Sequence, residues 1–158
     1  MTPTNPVEQL AIAKAMREWL WLYPGVEIIH IVGFTLLVGS VVMFDLRVLG
    51  LSKAIPVRRL SRHLLPWSLG ALVLIVPTGL LMFSAHASDF LTNRAFQLKM
   101  ALLLSAGLNA AYFRMGPYQT VTSWDVEAPA PPAAKLSVAL SLVLWLGVIS
   151  CGRLLAYL

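Results

Sequence analysis

His30 lies well inside the first long apolar run of the sequence, with Glu27 one helical turn before it and Gly33 one turn after. A helical rise of about 1.5 Å per residue puts the imidazole about 9 Å beyond Pro24, a depth at which an ionisable side chain normally faces protein or water. A neutral imidazole in that position can act as an axial ligand to haem iron. The glycine on the next turn lets a flat ligand, or another helix, come close.

Partners for such a site follow from topology. If the apolar runs cross a bilayer alternately, Lys99 at the start of the third run reaches the same face as His30. His86 after the second run and Arg153 in the fourth reach it too. Cations near the interface suit the two propionates of a haem. The expected set is therefore His30 as iron ligand, His86 as a second ligand, and Lys99 and Arg153 as propionate partners, with Glu27 and Gly33 beside the ring. Lys99 is also the candidate catalytic residue. Each has a plainer reading: His30 bonds Glu27 or a neighbouring helix, Lys99 snorkels, Arg153 anchors at the interface, and His86 sits in a loop beside Asp89. His63 adjoins Arg62 at the opposite face, too far for one haem to join it to His30 across roughly 30 Å of hydrocarbon.

The elements that must carry these residues are hydrophobic helices. Of 158 residues 58% are hydrophobic and 12% charged, against about 25% charged in an average soluble domain, so few ions remain to dress a wet surface. Spans are expected over about 25–44, 64–83, 96–113 and 136–157, giving an all-α, integral membrane four-helix bundle in a single transmembrane domain. Ahead of them, Ile12, Met16, Trp19 and Leu20 share one helical face and Lys14, Arg17 and Glu18 another, which predicts an interfacial amphipathic helix over about 5–21. Pro24 is expected to mark the turn into the bilayer. Residues 2–8 lack a basic n-region, so the first span is expected to be retained. Pro77, followed by Thr78 and Gly79, predicts a bend in the second span where a hydroxyl or a neighbour compensates the lost backbone bond.

The net charge of +5 does not suggest nucleic acid, because the basic residues flank apolar runs and form no soluble binding face. Arg47, Lys53, Arg58, Arg59, Arg62, Arg114 and Lys135 fall at one end of the predicted spans, and Lys14, Arg17, Arg94, Lys99 and Arg153 at the other. The positive-inside rule makes the first end cytoplasmic and puts both termini in the periplasm of a bacterial inner membrane. Residues 116–134, with four prolines, read as an extended cytoplasmic linker. Asp45, Arg47 and Asn109 read as helix-packing or interface groups.

The single Cys151 excludes an intramolecular disulfide and a CxxCH attachment, so any haem is noncovalent. P-loop, HExxH, GxSxG and GxGxxG patterns are missing, and the methionines are scattered instead of grouped as a soft-metal path.

Residues 22–50, LYPGVEIIHIVGFTLLVGSVVMFDLRVLG, resemble a family of small bacterial four-span membrane proteins described as a domain of unknown function. The likeness continues through LLPWSLGALVLIVPTGLLMF, FQLKMALLLSAGLNAAYF and the terminal CGRLLAYL. More distantly, the histidine of the first span and the lysine opening the third look like HemJ-type protoporphyrinogen oxidases and CopD-type copper-resistance membrane proteins. The HemJ-type resemblance implies haem b and roles for His30 and Lys99. The fuller HemJ signature and a metal-rich periplasmic segment are both missing here.

The function expected from these residues is a b-type haem protein passing electrons between a periplasmic carrier and a membrane partner or quinone. The alternatives are a HemJ-like porphyrin oxidase, a CopD-like copper transport protein, and a structural membrane subunit. The lipid bilayer is the one certain partner class, and a homo-oligomer or larger membrane complex is left open.

Overall fold

A computed structural model describes residues 5–155 and residue 157. Six α-helices follow in order: α1 (Ala11–Glu18), α2 (Leu22–Leu49), α3 (Val57–Ala85), α4 (Ala87–Thr92), α5 (Arg94–Met115) and α6 (Pro132–Leu154), with 3-10 helices at Pro6–Gln9 and Pro117–Ser123. No strand occurs among the described residues. α2, α3 and α6 are long and apolar enough to cross a membrane. α5 has the length, but Gln97, Lys99 and Asn109 dilute its hydrophobic content, so of the four expected spans three meet both criteria.

α2, α3 and α5 extend beyond the expected spans at both ends, whereas α6 begins earlier, at Pro132, and ends earlier, at Leu154; both ends of α3 are tied to other parts of the chain, by Asp125 at its start and Arg17 at Ala85. α2 begins at Leu22, with Pro24 in its first turn, where a missing N–H costs no hydrogen bond. Pro24 therefore does not mark a turn. α3 runs unbroken through Pro66 and Pro77. Beside Pro77 the Thr78 hydroxyl donates to the Leu74 carbonyl at 2.6 Å, the i−4 back-bond of a helical threonine, whereas the carbonyl that the proline leaves without its helical donor is that of Val73.

α2 packs on α3, α5 on α6, and α2 on α6, so two antiparallel hairpins meet through α2 and α6. α3 and α5 are not packed against each other along their lengths. The α2–α3 contact is close because small residues face each other. A methyl group on Gly33 would lie 3.0 Å from Ile75 Cγ1 and 3.4 Å from the Ala71 carbonyl oxygen. Between α5 and α6, Asn109 Nδ2 donates to the Ser137 carbonyl and Ser137 Oγ donates to Asn109 Oδ1, both at 2.9 Å. This reciprocal pair satisfies both polar side chains inside the bundle.

Each pole has its own apolar cluster. At one, Val26 and Ala85 enclose Met16 of α1, and Phe83, Phe90 and Phe96 stack across the α3, α4 and α5 termini. α1 is amphipathic as expected, but Ala13 and Met16 face the protein while Trp19, Leu20 and Trp21 are exposed. Arg17 is not a free polar-face residue. It donates to the Ala85 carbonyl at 2.9 Å and the Glu8 carbonyl at 2.7 Å, tying α1 to the end of α3.

At the other pole Val48, Val57, Phe113 and Val138 surround Val121 and Trp124. The segment over 116–134 is thus folded onto the bundle and is not an extended linker. Trp124 supplies the buried anchor, and buried Arg47 donates to the carbonyls of Ile55, Lys53 and Asp125 at 2.6, 3.0 and 3.1 Å. The Asp125 carboxylate in turn accepts the Arg58 N–H at 2.8 Å, capping α3.

Candidate functional site

α2 carries His30 on the side turned to α3. Its ring lies over Gly79, where a methyl group would come within 3.2 Å of Cε1, and its Nδ1 is 2.9 Å from Thr78 Oγ1. The direction of that hydrogen bond follows from counting protons. The single Thr78 hydroxyl proton is directed to the Leu74 carbonyl, so Thr78 accepts and His30 Nδ1–H donates. The imidazole then carries its proton on Nδ1 and leaves a lone pair on Nε2. A histidine fixed through one nitrogen with the other unprotonated is the arrangement that metal-ligating histidines use.

Lys99 arrives from the second hairpin. A methyl group on Gly152 would lie 3.8 Å from Lys99 Nζ, so the ammonium reaches over the α6 backbone near buried Cys151. It lies within electrostatic reach of the His30 ring, and no hydrogen bond or ion pair engages it among the described residues. The fold thus places Lys99 of the second hairpin within electrostatic reach of His30 of the first.

The remaining candidates lie elsewhere. Glu27 is exposed, within electrostatic reach of both His30 and Tyr23. Gly33 is buried, and its open space is filled by Ile75 and Leu74 of α3. His86 caps the end of α3, edge-on to Tyr23 at 5.9 Å and 3.8 Å from the Asp89 carboxylate. Arg153 is exposed, stacks on the Tyr157 ring and donates to its hydroxyl. His63 is exposed, in the N-terminal part of α3.

Two residues acquire weight only in three dimensions. Thr78 stands out in the sequence solely as the neighbour of Pro77, yet it sets the His30 tautomer. Asp45 is 3% exposed, Ser141 of α6 faces its carboxyl, and its Oδ2 has no partner among the described residues. Asp45 and Arg47 lie on the same helix but serve different neighbours, Asp45 facing α6 and Arg47 the α2–α3 turn and Asp125. Among the described residues no three His, Cys, Asp or Glu side chains gather where they could hold a metal ion. Any iron or copper here would need ligands beyond these residues.

A family model described as a family of unknown function (DUF6644) matches residues 22–158. No curated protein and no solved structure matches the chain.

Proposed function

The chain belongs to the DUF6644 family, and for this member of it we propose a four-span membrane redox protein that holds haem b noncovalently through His30. The observation that carries the reading is the 2.9 Å contact between His30 Nδ1 and Thr78 Oγ1, which, with the hydroxyl proton directed to Leu74, would leave the Nε2 lone pair to a ligand. The donor set fits a haem with one protein ligand. His30 would hold the iron, and the uncommitted Lys99 ammonium would meet a propionate. Bound haem supplies one-electron chemistry. His30 keeps the ligating nitrogen neutral, Thr78 fixes the ring, and the apolar helices exclude water. His86 is turned to Tyr23 and Asp89, so the reading uses His30 as the one axial side chain.

α5 completes the four spans in this reading. The Asn109–Ser137 pair supports it, since a polar side chain with both partners supplied by α6 can lie in hydrocarbon at little cost. Lys53, Arg58, Arg62 and Arg114 belong to the pole opposite α1, which supports an inner-membrane orientation with both termini periplasmic. A periplasmic carrier and a quinone are the electron partners suited to a site at the periplasmic pole.

Protein purified from haem-replete cells should show a Soret band that His30→Ala removes and Thr78→Val shifts. Folded but colourless protein overturns haem binding. A porphyrin oxidase, the reading suggested by the HemJ-type likeness, further requires that Lys99→Met abolish turnover.

A second reading is favoured by the packing around the ring: Gly33 against Ile75 and His30 over Gly79 make the imidazole a joint between α2 and α3. In that case His30→Leu changes stability and no chromophore is ever lost.

A further inference from the structure

At the pole opposite α1, Arg58 and Arg62 of α3 and Arg114 of α5 line one groove of about 370 Å³, together with Tyr118, Gln119 and Thr122 of the segment folded beneath them. We infer that this groove binds the phosphate of an anionic phospholipid headgroup.

The first support is chemical. Three guanidiniums from two helices converge on one concavity whose lining contains no carboxylate. None of the three guanidiniums donates a hydrogen bond or joins an ion pair among the described residues, and Arg114 rests over the Tyr118 ring at 4.6 Å. Asp125, which approaches from the backbone side, is committed to the Arg58 N–H and leaves the side chain free. Guanidiniums held without counter-charges match the fork geometry of a phosphate.

The second support is position. The arginines sit at the mouth of the side of the bundle where α3 and α5 are not packed together. The face of α3 that carries Arg58 and Arg62 continues along the helix as Leu65, Leu69, Leu72 and Val76, all exposed. A ligand with a phosphate at one end and hydrocarbon at the other satisfies both parts at once. Free phosphate satisfies only the first. Basic pockets between helices at a positive membrane face are a known mode of lipid headgroup binding.

Native mass spectrometry of the full chain in detergent would test this with phosphatidylglycerol, phosphatidylcholine and inorganic phosphate as separate probes. Phosphatidylglycerol should bind in preference to phosphatidylcholine, and Arg62→Gln with Arg114→Gln should weaken it by about tenfold, from the loss of charge-assisted hydrogen bonds. Arg59→Gln removes a neighbouring charge that does not line the groove and should change binding less than about twofold, consistent with a screened surface charge. Melting temperature is followed in parallel to show that the variants stay folded. Equal binding of the two lipids, or equal effects of the groove and control variants, overturns the proposal. Inorganic phosphate that displaces phosphatidylglycerol at equal concentration overturns the lipid as occupant.

Discussion

His30 Nδ1 and Thr78 Oγ1 lie 2.9 Å apart, joining α2 to α3 one residue beyond the proline that interrupts the α3 hydrogen-bond ladder. Pro77 has no N–H to give, and its ring crowds the preceding carbonyls. The Thr78 hydroxyl turns back to Leu74 and spends its only proton there. Its oxygen is then an acceptor for the imidazole. A threonine hydroxyl beside the proline thereby meets the one histidine of the neighbouring helix α2.

Thr78→Val and His30→Ala each remove the same bond. Double-mutant cycles for hydrogen bonds between membrane helices give about 0.6 kcal/mol on average and about 1.7 kcal/mol at most. The two changes should therefore be less than additive by about 1 kcal/mol in unfolding from detergent. Strict additivity would show that the two side chains do not meet.

Gly33 and Gly39 occupy the same helix in opposite situations. A methyl at Gly33 lies 3.0 and 3.1 Å from Ile75 and Leu74 side-chain atoms, whereas at Gly39 nothing lies within 4 Å. Gly39→Ala should stabilise by about 0.5–1 kcal/mol through helix propensity alone. Gly33→Ala gains the same term but overpacks the interface, at a cost of about 1–3 kcal/mol. Melting temperatures should move in opposite directions, and a rise in both would mean that α2 and α3 are not in close contact at Gly33.

Asn109 and Ser137 provide the matching test for the second hairpin. Ser137→Ala removes only the hydroxyl bond and leaves the Ser137 carbonyl to Asn109 Nδ2, so the coupling between Asn109→Leu and Ser137→Ala should be near the membrane average, about 0.6 kcal/mol. A coupling near zero would show that the Ser137 hydroxyl does not meet Asn109.

How far these relationships can be read along the chain depends on what carries them. Apolar runs longer than a bilayer is thick announce α2, α3 and α6, and an ionisable side chain within such a run announces His30. The partner of His30 is hidden, because one threonine among the hydroxyls of α3 gains meaning only when the rotation of α3 against α2 is known. α5 was expected as a span like the others, yet Lys99 and Asn109 dilute it, and it is the contact with α6 that makes room for them. Four prolines suggested an extended segment over 116–134. Val121 and Trp124 overrule them, since two buried side chains and the Asp125 cap hold the segment against the bundle. Arg47 misleads for a related reason: a cation at a helix end looks interfacial until three carbonyls are found around it.

Those carbonyls make Arg47 the strongest single point at its pole. It is 4% exposed and joins the α2–α3 turn to the segment beyond α5. Arg47→Met preserves much of the stem but takes the guanidinium donor from the carbonyl of Ile55, while those of Asp125 and Lys53 keep the N–H groups of Val57 and Glu127. A loss of about 3 kcal/mol is expected, in the range for breaking a buried charged network. Limited proteolysis should cut within 117–131 faster in the variant. Unchanged cleavage would mean that Trp124 alone holds the segment.

At the opposite pole the anchor responds to acid. Glu8 Oε1 accepts the Ser88 N–H at 2.6 Å, and this bond holds its carboxyl below the usual 4.5, with the Arg17 charge acting in the same direction. A lowered folded-state value means that the ionised group is bound more tightly in the folded protein. Its stabilisation is fully present above 4.5 and disappears as pH falls through the lower folded value. Hydrogen exchange over residues 6–18, compared between the natural chain and Glu8→Gln at each pH, cancels the intrinsic acid dependence of exchange. The natural chain should be the better protected of the two at pH about 6, and the difference should narrow as pH falls below 4.5 and close once its carboxyl too is neutral. A difference that stays constant over that range would show that the charge on Glu8 plays no part in holding α1 to the end of α3.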